Sequence, residues 1–114
     1  MQHDVRKLCF DILQAIADIK TFTAGLDLER YRKDRLIRLA VERDYEIIGE
    51  ALKRMQARFE SDFLTITDGR KIIDFRNLLA HAYDDVADEI VWGITSSDIN
   101  TLQTEVETIL RNQE

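Results

Sequence analysis

Apolar side chains recur every three or four residues along most of this chain, and no proline interrupts them. That spacing puts them on one face of an α-helix, and no segment alternates as a β-strand does. The 114 residues include only four glycines, and 33 % are charged, which favours long helices with one solvated face. We therefore predict one all-α domain over residues 1–114, an antiparallel up-and-down bundle of four to five helices.

Turn and capping residues divide the apolar pattern into segments. Gly25 is the predicted stop of the first helix, and Asp27 the cap of the second and longest. Inside the second helix, Gly49 costs stability relative to alanine, and together with Ala51 it is expected to leave room for the backbone of a partner helix. The predicted helices cover, approximately, residues 3–23, 27–59, 68–83, 86–92 and 98–110, with a short connection at 61–67 and a break at 93–97.

The sequence also predicts the cellular location of the protein. No stretch approaches 18 consecutive apolar residues, and the segment Met1 to Lys7 is polar, so we expect neither a membrane span nor a secretion signal. The single cysteine, Cys9, falls among apolar positions, which favours a buried thiol in a reducing compartment. We expect a soluble, cytoplasmic protein, and no cofactor is indicated.

The net charge of −6 is unevenly distributed. Between Arg30 and Arg76 there are 12 Lys/Arg against 9 Asp/Glu, whereas Arg111 alone faces 8 Asp/Glu after Arg76. A mildly basic middle and an acidic C-terminal third can mean a side that faces an anionic substrate and a side that repels it. Charge alone favours the simpler interpretation, which is ordinary solvated helix faces.

The third predicted helix carries an arginine, a histidine and a tyrosine spaced R-x-x-x-x-H-x-Y, at Arg76, His81 and Tyr83. Arginine is a permanent cation whose planar donors suit phosphate oxygens, and histidine exchanges protons near neutral pH. The other histidine, His3, lies near the N-terminus, so any histidine acid–base chemistry falls to His81. As isolated residues they have simpler interpretations, in which Arg76 pairs with Asp74 or another acid and His81 is a cap or surface residue.

Helical register groups these side chains further. Arg76 and Tyr83 are seven residues apart and share one stripe, while Asn77 and His81 share the adjacent stripe. A helix C-terminus also favours a cation at His81. Asn77 could hold the His81 ring in one orientation, although apolar packing could do the same.

Glu42, Glu46 and Glu50 recur every four residues on the longest helix, which raises the question of a metal. Metal sites in helical bundles need Glu-x-x-His motifs or facing carboxylates, and none is evident, so no metal is predicted. We favour Glu50 or Glu46 pairing with Arg76 or lying at the edge of an active cleft. Ordinary pairing with basic residues of the same helix stays open for Glu42 and Glu46.

Residues 73–83, Ile-Asp-Phe-Arg-Asn-Leu-Leu-Ala-His-Ala-Tyr, resemble the signature of the HepT-like branch of the HEPN superfamily. These are small all-helical ribonuclease toxins of prokaryotic toxin–antitoxin pairs. Residues 42–51 are similar to the family's second-helix pattern E-R-x-x-E-I-I-G-E-A, and Val91-Trp92 precedes a final Leu-rich helix. The resemblance covers essentially the whole chain, in the family's order and spacing.

The resemblance implies a metal-independent endoribonuclease, with transfer RNA as the favoured substrate class. His81 would be the general acid–base, and Arg76 would bind the scissile phosphate. Asn77 would orient the site or contact the substrate. The attack of a 2′-OH on phosphorus would leave a 2′,3′-cyclic phosphate and a 5′-OH. The family's homodimer would bring two copies of the motif to one cleft.

The resemblance also implies regulation at Tyr83. In the family, a cognate MntA-like minimal nucleotidyltransferase attaches AMP to the motif tyrosine and silences the toxin, because the added charge blocks RNA. An alternative is a non-catalytic helical module that docks the nucleotidyltransferase, although docking requires neither Arg76 nor His81. A purely structural dimeric bundle is the third hypothesis.

Overall fold

Helix is the only regular structure in residues 2–81 and 86–113, the ranges whose backbone the computed structural model describes. Side chains are described for residues 5–79, 81 and 88–113. The helices are α1 (Gln2–Thr23), α2 (Leu28–Lys33), α3 (Arg35–Arg58), α4 (Glu60–Phe63), α5 (Gly69–His81), α6 (Val86–Gly93) and α7 (Ile99–Arg111). A π-helical turn, Ile94–Asp98, joins α6 to α7. The all-α prediction is confirmed.

The prediction of one unbroken helix from Asp27 to residue 59 is wrong, because the chain breaks at Asp34. Asp34 adopts extended backbone angles, φ −100° and ψ 94°. Its carboxylate accepts a hydrogen bond from the backbone N–H of Ile37 at 3.0 Å, so it caps α3. A short acidic side chain that competes for backbone donors favours such a cap over a helix interior. The break lets Tyr31 of α2 pack its ring 5.3 Å from that of Trp92.

The predicted break at 93–97 is also wrong, because helical backbone continues through it. Gly93 has helical angles, φ −60° and ψ −45°. The hydroxyls of Ser96 and Ser97 donate to the backbone carbonyls of Trp92 and Gly93, four residues earlier. This back-bonding satisfies the serine hydroxyls within a helix, and Ile94–Asp98 form a π-helical turn in place of a loop. The connection predicted at 61–67 likewise contains part of the short helix α4.

Long helices pack side by side around the core, α1 on α3 and α7, and α3 on α5. Helices α1 and α3 run antiparallel, since Leu8 lies beside Arg54 while Asp18 lies near Asp44 further along α1. Burial, and then the charge of Asp18, raises the pKa of the Asp44 carboxyl to about 6. The buried apolar side chains include, among others, Ile12, Ile16, Ile19, Ile48, Leu52, Met55, Ile72, Phe75, Leu102 and Val106.

Cys9 belongs to this core, and its side chain is fully buried and forms no disulfide. Burial, followed by the nearby charge of Asp62, raises the pKa of the Cys9 thiol to about 11. The expectation of a buried thiol is confirmed, and a raised pKa disfavours the reactive thiolate. Within the described ranges, no helix combines the length and the apolar character needed to cross a bilayer.

Candidate active site on helices α3 and α5

Arg76 of α5 crosses α3 directly above Gly49. A Cβ atom built on Gly49 would lie 2.5 Å from Arg76 Cβ and 2.7 Å from Arg76 Cγ, closer than such atoms ever approach. Glycine is therefore what allows the Arg76 stem to lie on α3. Close helix approach at Gly49 is confirmed, but the stem of Arg76 fills the space, and partner backbone does not. Ala51 is 4 % exposed within the same packing.

Two neighbouring side chains contact the guanidinium of Arg76, and some of its N–H donors remain unused. Nη1 donates to Asn77 Oδ1 at 3.2 Å, and Nη2 lies 3.6 Å from Glu50 Oε2. Arg76 Nε is buried and has no hydrogen-bond partner among the described residues, so any donors that reach solvent belong to Nη1 and Nη2. The side chain is 33 % exposed, so part of the group reaches solvent. A guanidinium has five N–H donors, and this arrangement leaves donors for the oxygens of a phosphate.

The predicted pairing of Glu50 with Arg76 is confirmed, whereas Asp74 lies 3.7 Å from Arg70. Glu50 also lies 3.7 Å from Arg54, so one carboxylate sits between two arginines. Ion pairs as exposed as these contribute little to stability. Their consequence is orientation, because Glu50 and Asn77 restrain the guanidinium from two sides.

The other two acids of the series are placed differently. Glu46 pairs with Arg43 at 3.3 Å, as its simpler interpretation predicts. Burial, and then the charge of Asp88, raises the pKa of Glu42, while Arg38 opposes the shift. The described residues contain no group of three His, Cys, Asp or Glu arranged to hold a metal ion.

His81 is the last residue of α5, and its side chain is exposed. The described residues include no hydrogen-bond or ion-pair partner for His81, and the side-chain bond of Asn77 goes to Arg76 instead. Five helical residues separate Arg76 from His81 by about 140° around the axis and about 7.5 Å along it. The two side chains therefore leave α5 in different directions. Tyr83 lies outside the described residues.

A cleft of about 200 Å³ opens beside Arg76, between α1 and α3. Its apolar lining comes from Leu8, Ile47 and Ala51. Glu46 and Glu50 both line it. The contribution of Asp11 from α1 was not predicted, because nothing in its spacing distinguishes it from other solvated residues of that helix. Its charged lining is Asp11, Arg43, Glu46, Glu50, Arg54 and Arg76.

Comparison with known proteins supports a ribonuclease. The family model described as "Ribonuclease HepT-like" matches residues 12–109. This chain belongs to the HepT-like ribonuclease family. The resemblance inferred from residues 42–51 and 73–83 is thus confirmed, and the bundle agrees with the HEPN-like fold that it implied. No solved structure matches the chain.

Curated relatives cover nearly the same length. "Putative RNase MJ1380" of Methanocaldococcus jannaschii is 31 % identical over 108 residues, which is 95 % of this chain and 98 % of the relative. "Probable ribonuclease HepT" of Thermococcus cleftensis is 34 % identical over 97 residues, 85 % of this chain and 87 % of the relative. "Putative RNase TTE0752" of Caldanaerobacter subterraneus subsp. tengcongensis is 29 % identical and covers 90 % of each chain.

The packing of the Arg76 stem on Gly49 predicts that two glycine substitutions change the free energy of unfolding unequally. Gly49→Ala should lower the free energy of unfolding by about 1–3 kcal/mol, because its Cβ forces α5 away from α3. Gly93→Ala is the matched control, since Gly93 is also helical but has open space around its missing Cβ. It should be neutral or stabilising by up to about 1 kcal/mol. Urea unfolding followed by circular dichroism measures both, and equal effects would contradict the assigned role of Gly49.

Proposed function

We propose that this HepT-like ribonuclease is a metal-independent endoribonuclease, the toxin of a prokaryotic toxin–antitoxin pair, with transfer RNA as its favoured substrate class in the cytoplasm. The observation that carries the proposal is the position of the Arg76 side chain. Gly49 admits its stem, Glu50 and Asn77 restrain its guanidinium, and donors remain for a phosphate.

Arg76 binds the scissile phosphate and stabilises the charge that develops on it. The RNA 2′-OH loses its proton to a base and attacks phosphorus, the bond to the 5′-oxygen breaks, and that oxygen receives a proton. The products are a 2′,3′-cyclic phosphate and a 5′-OH. His81 exchanges these protons, being exposed at the end of α5. Asn77 is a positioning residue, since it touches Arg76.

The protein works as a homodimer in this proposal. The reaction needs a base and an acid, and each chain offers one suitable histidine. Because Arg76 and His81 leave α5 in different directions, a second copy of the motif at the same cleft completes the site. Helix α3 leaves Leu36 and Leu39 78 % and 48 % exposed, one turn apart, as apolar surface that a second copy can cover.

Neutralisation by a cognate MntA-like minimal nucleotidyltransferase is the remaining part of the proposal, and it rests on the family resemblance. The enzyme attaches AMP to Tyr83, two residues after His81. The added phosphate competes with the RNA backbone for arginine donors and repels RNA.

Arg76→Ala and His81→Ala should each abolish RNA cleavage and toxicity while leaving helicity nearly unchanged. The melting temperature should stay the same in His81→Ala, whose side chain is exposed, and fall modestly in Arg76→Ala, which loses the stem packed on Gly49. Arg70→Ala is the matched control, an exposed arginine of α5 that pairs only with Asp74 among the described residues. It should retain activity. Gel assays of RNA cleavage, with and without EDTA, measure the effect.

Full cleavage by His81→Ala, or loss of cleavage on chelation, would contradict the mechanism. Absence of cleavage by the wild-type chain, with tight binding of the nucleotidyltransferase, would instead support the non-catalytic docking module.

Co-expression with the cognate nucleotidyltransferase should add about 329 Da, one AMP, to the peptide that contains Tyr83. Tyr83→Phe should keep much of the nuclease activity yet escape neutralisation, because the hydroxyl has only a regulatory role. Mass spectrometry of tryptic peptides measures the adduct. A fully neutralised protein with an unmodified Tyr83 peptide would show that silencing occurs by binding alone.

A further inference from the structure

The cleft between α1 and α3 is lined by three carboxylates as well as three arginines, among them Arg76. Glu50 orients Arg76, but a groove that bound only the phosphate backbone would gain nothing from the other two carboxylates, since each repels a phosphate. Carboxylates accept hydrogen bonds and donate none at neutral pH. A ligand that satisfies this cleft therefore offers an apolar face and N–H donors close to a phosphate.

The size of the cleft restricts the ligand further. About 200 Å³ is less than the roughly 300–1,000 Å³ typical of pockets for drug-sized molecules, so the cleft suits one planar ring system. Leu8, Ile47 and Ala51 provide apolar surface for the ring. Proteins that read RNA commonly take unstacked bases into such sites and bind their edges by hydrogen bonds.

The charged residues can change partners at little cost. Arg43 and Glu46 have side chains 70 % and 38 % exposed, and their pair at 3.3 Å resembles surface pairs that contribute about 0–1 kcal/mol. Glu46 can thus give up part of its contact with Arg43 to accept a hydrogen bond from a base. The freed donors of Arg43 remain available for an adjoining phosphate.

We propose that this cleft is a base-binding subsite for RNA, which takes an unpaired base with an exocyclic amino group next to the phosphate held by Arg76. Glu46 accepts the hydrogen bond from the amino group, and Ile47 contacts the ring. The subsite rests on the proposed ribonuclease function and adds a preference among bases to it. Adenine, cytosine and guanine carry such an amino group, and uracil does not.

The test measures binding, so that it does not depend on cleavage. The probes are two 2′-O-methyl hexamers, which cannot undergo 2′-OH attack, one of adenosine and one of purine riboside, which lacks the amino group. Wild-type protein should bind the adenosine hexamer about tenfold more tightly, the effect of one charge-assisted hydrogen bond. Fluorescence anisotropy at fixed salt measures both affinities.

Glu46→Ala, which removes the acceptor, should remove most of this preference, because a carboxamide at this position could still accept a hydrogen bond from the amino group. Ile47→Trp, which fills the cleft, should weaken the binding of both probes. Asp74→Asn is the matched control, because Asp74 forms a similar exposed pair with Arg70 on α5 but does not line the cleft. It should keep the preference. Light scattering on every variant establishes the oligomeric state.

Equal binding of the two hexamers by the wild-type protein would overturn the subsite, as would an unchanged preference in Glu46→Ala. Loss of binding together with dissociation into monomers would assign the cleft to an interface between copies, and would also overturn it. Cleavage of total RNA by a protein without base preference would leave the proposed function standing and refute only the subsite. Base preference without any cleavage would refute the proposed function and leave the subsite standing.

Discussion

The contact between Gly49 of α3 and Arg76 of α5 is the constraint on which the site depends. A long cationic side chain at a helix–helix contact needs space for its stem and partners for its head. Gly49 supplies the space, and Glu50 and Asn77 supply the partners. The stem and the head are thereby fixed by neighbouring residues, and the same packing that buries Ile48 and Phe75 orients the guanidinium. Such preorganisation makes an electrostatic group effective in catalysis.

An overall charge of −6 is compatible with RNA binding when the charges near the site are considered one by one. The cleft beside Arg76 is lined by equal numbers of arginines and carboxylates, so its long-range attraction for an anion is weak and short-range geometry decides what binds. A site of this kind selects by hydrogen bonds and shape more than by net charge. In the proposed subsite, the acidic residues beside Arg76 contribute to recognition, and the acidic C-terminal third would disfavour nonspecific binding of RNA elsewhere on the molecule.

Sequence patterns predicted the helices and the pairing of Glu50 with Arg76, because both depend on spacing along one helix or on the few acids within reach. The predicted helix boundaries were wrong at Asp34 and at 93–97. There a polar side chain can either cap a helix or hydrogen-bond back to it, and the tertiary surroundings determine which occurs. The sequence patterns named Gly49 as a point of close approach but could not tell what approaches it. The cleft was missed as a ring-sized site because α1 and α3 form it together, and Asp11 has no distinguishing spacing.

Salt dependence of RNA binding tests most directly whether Arg76 holds a phosphate. The affinity of the wild-type protein for a non-cleavable 2′-O-methyl hexamer should fall with rising salt. The slope of log K against log salt should be shallower in Arg76→Ala by about 0.7 for each single-strand phosphate that Arg76 neutralises in the wild-type protein. Equal slopes and equal affinities in the two proteins would show that Arg76 binds no phosphate and would contradict the account.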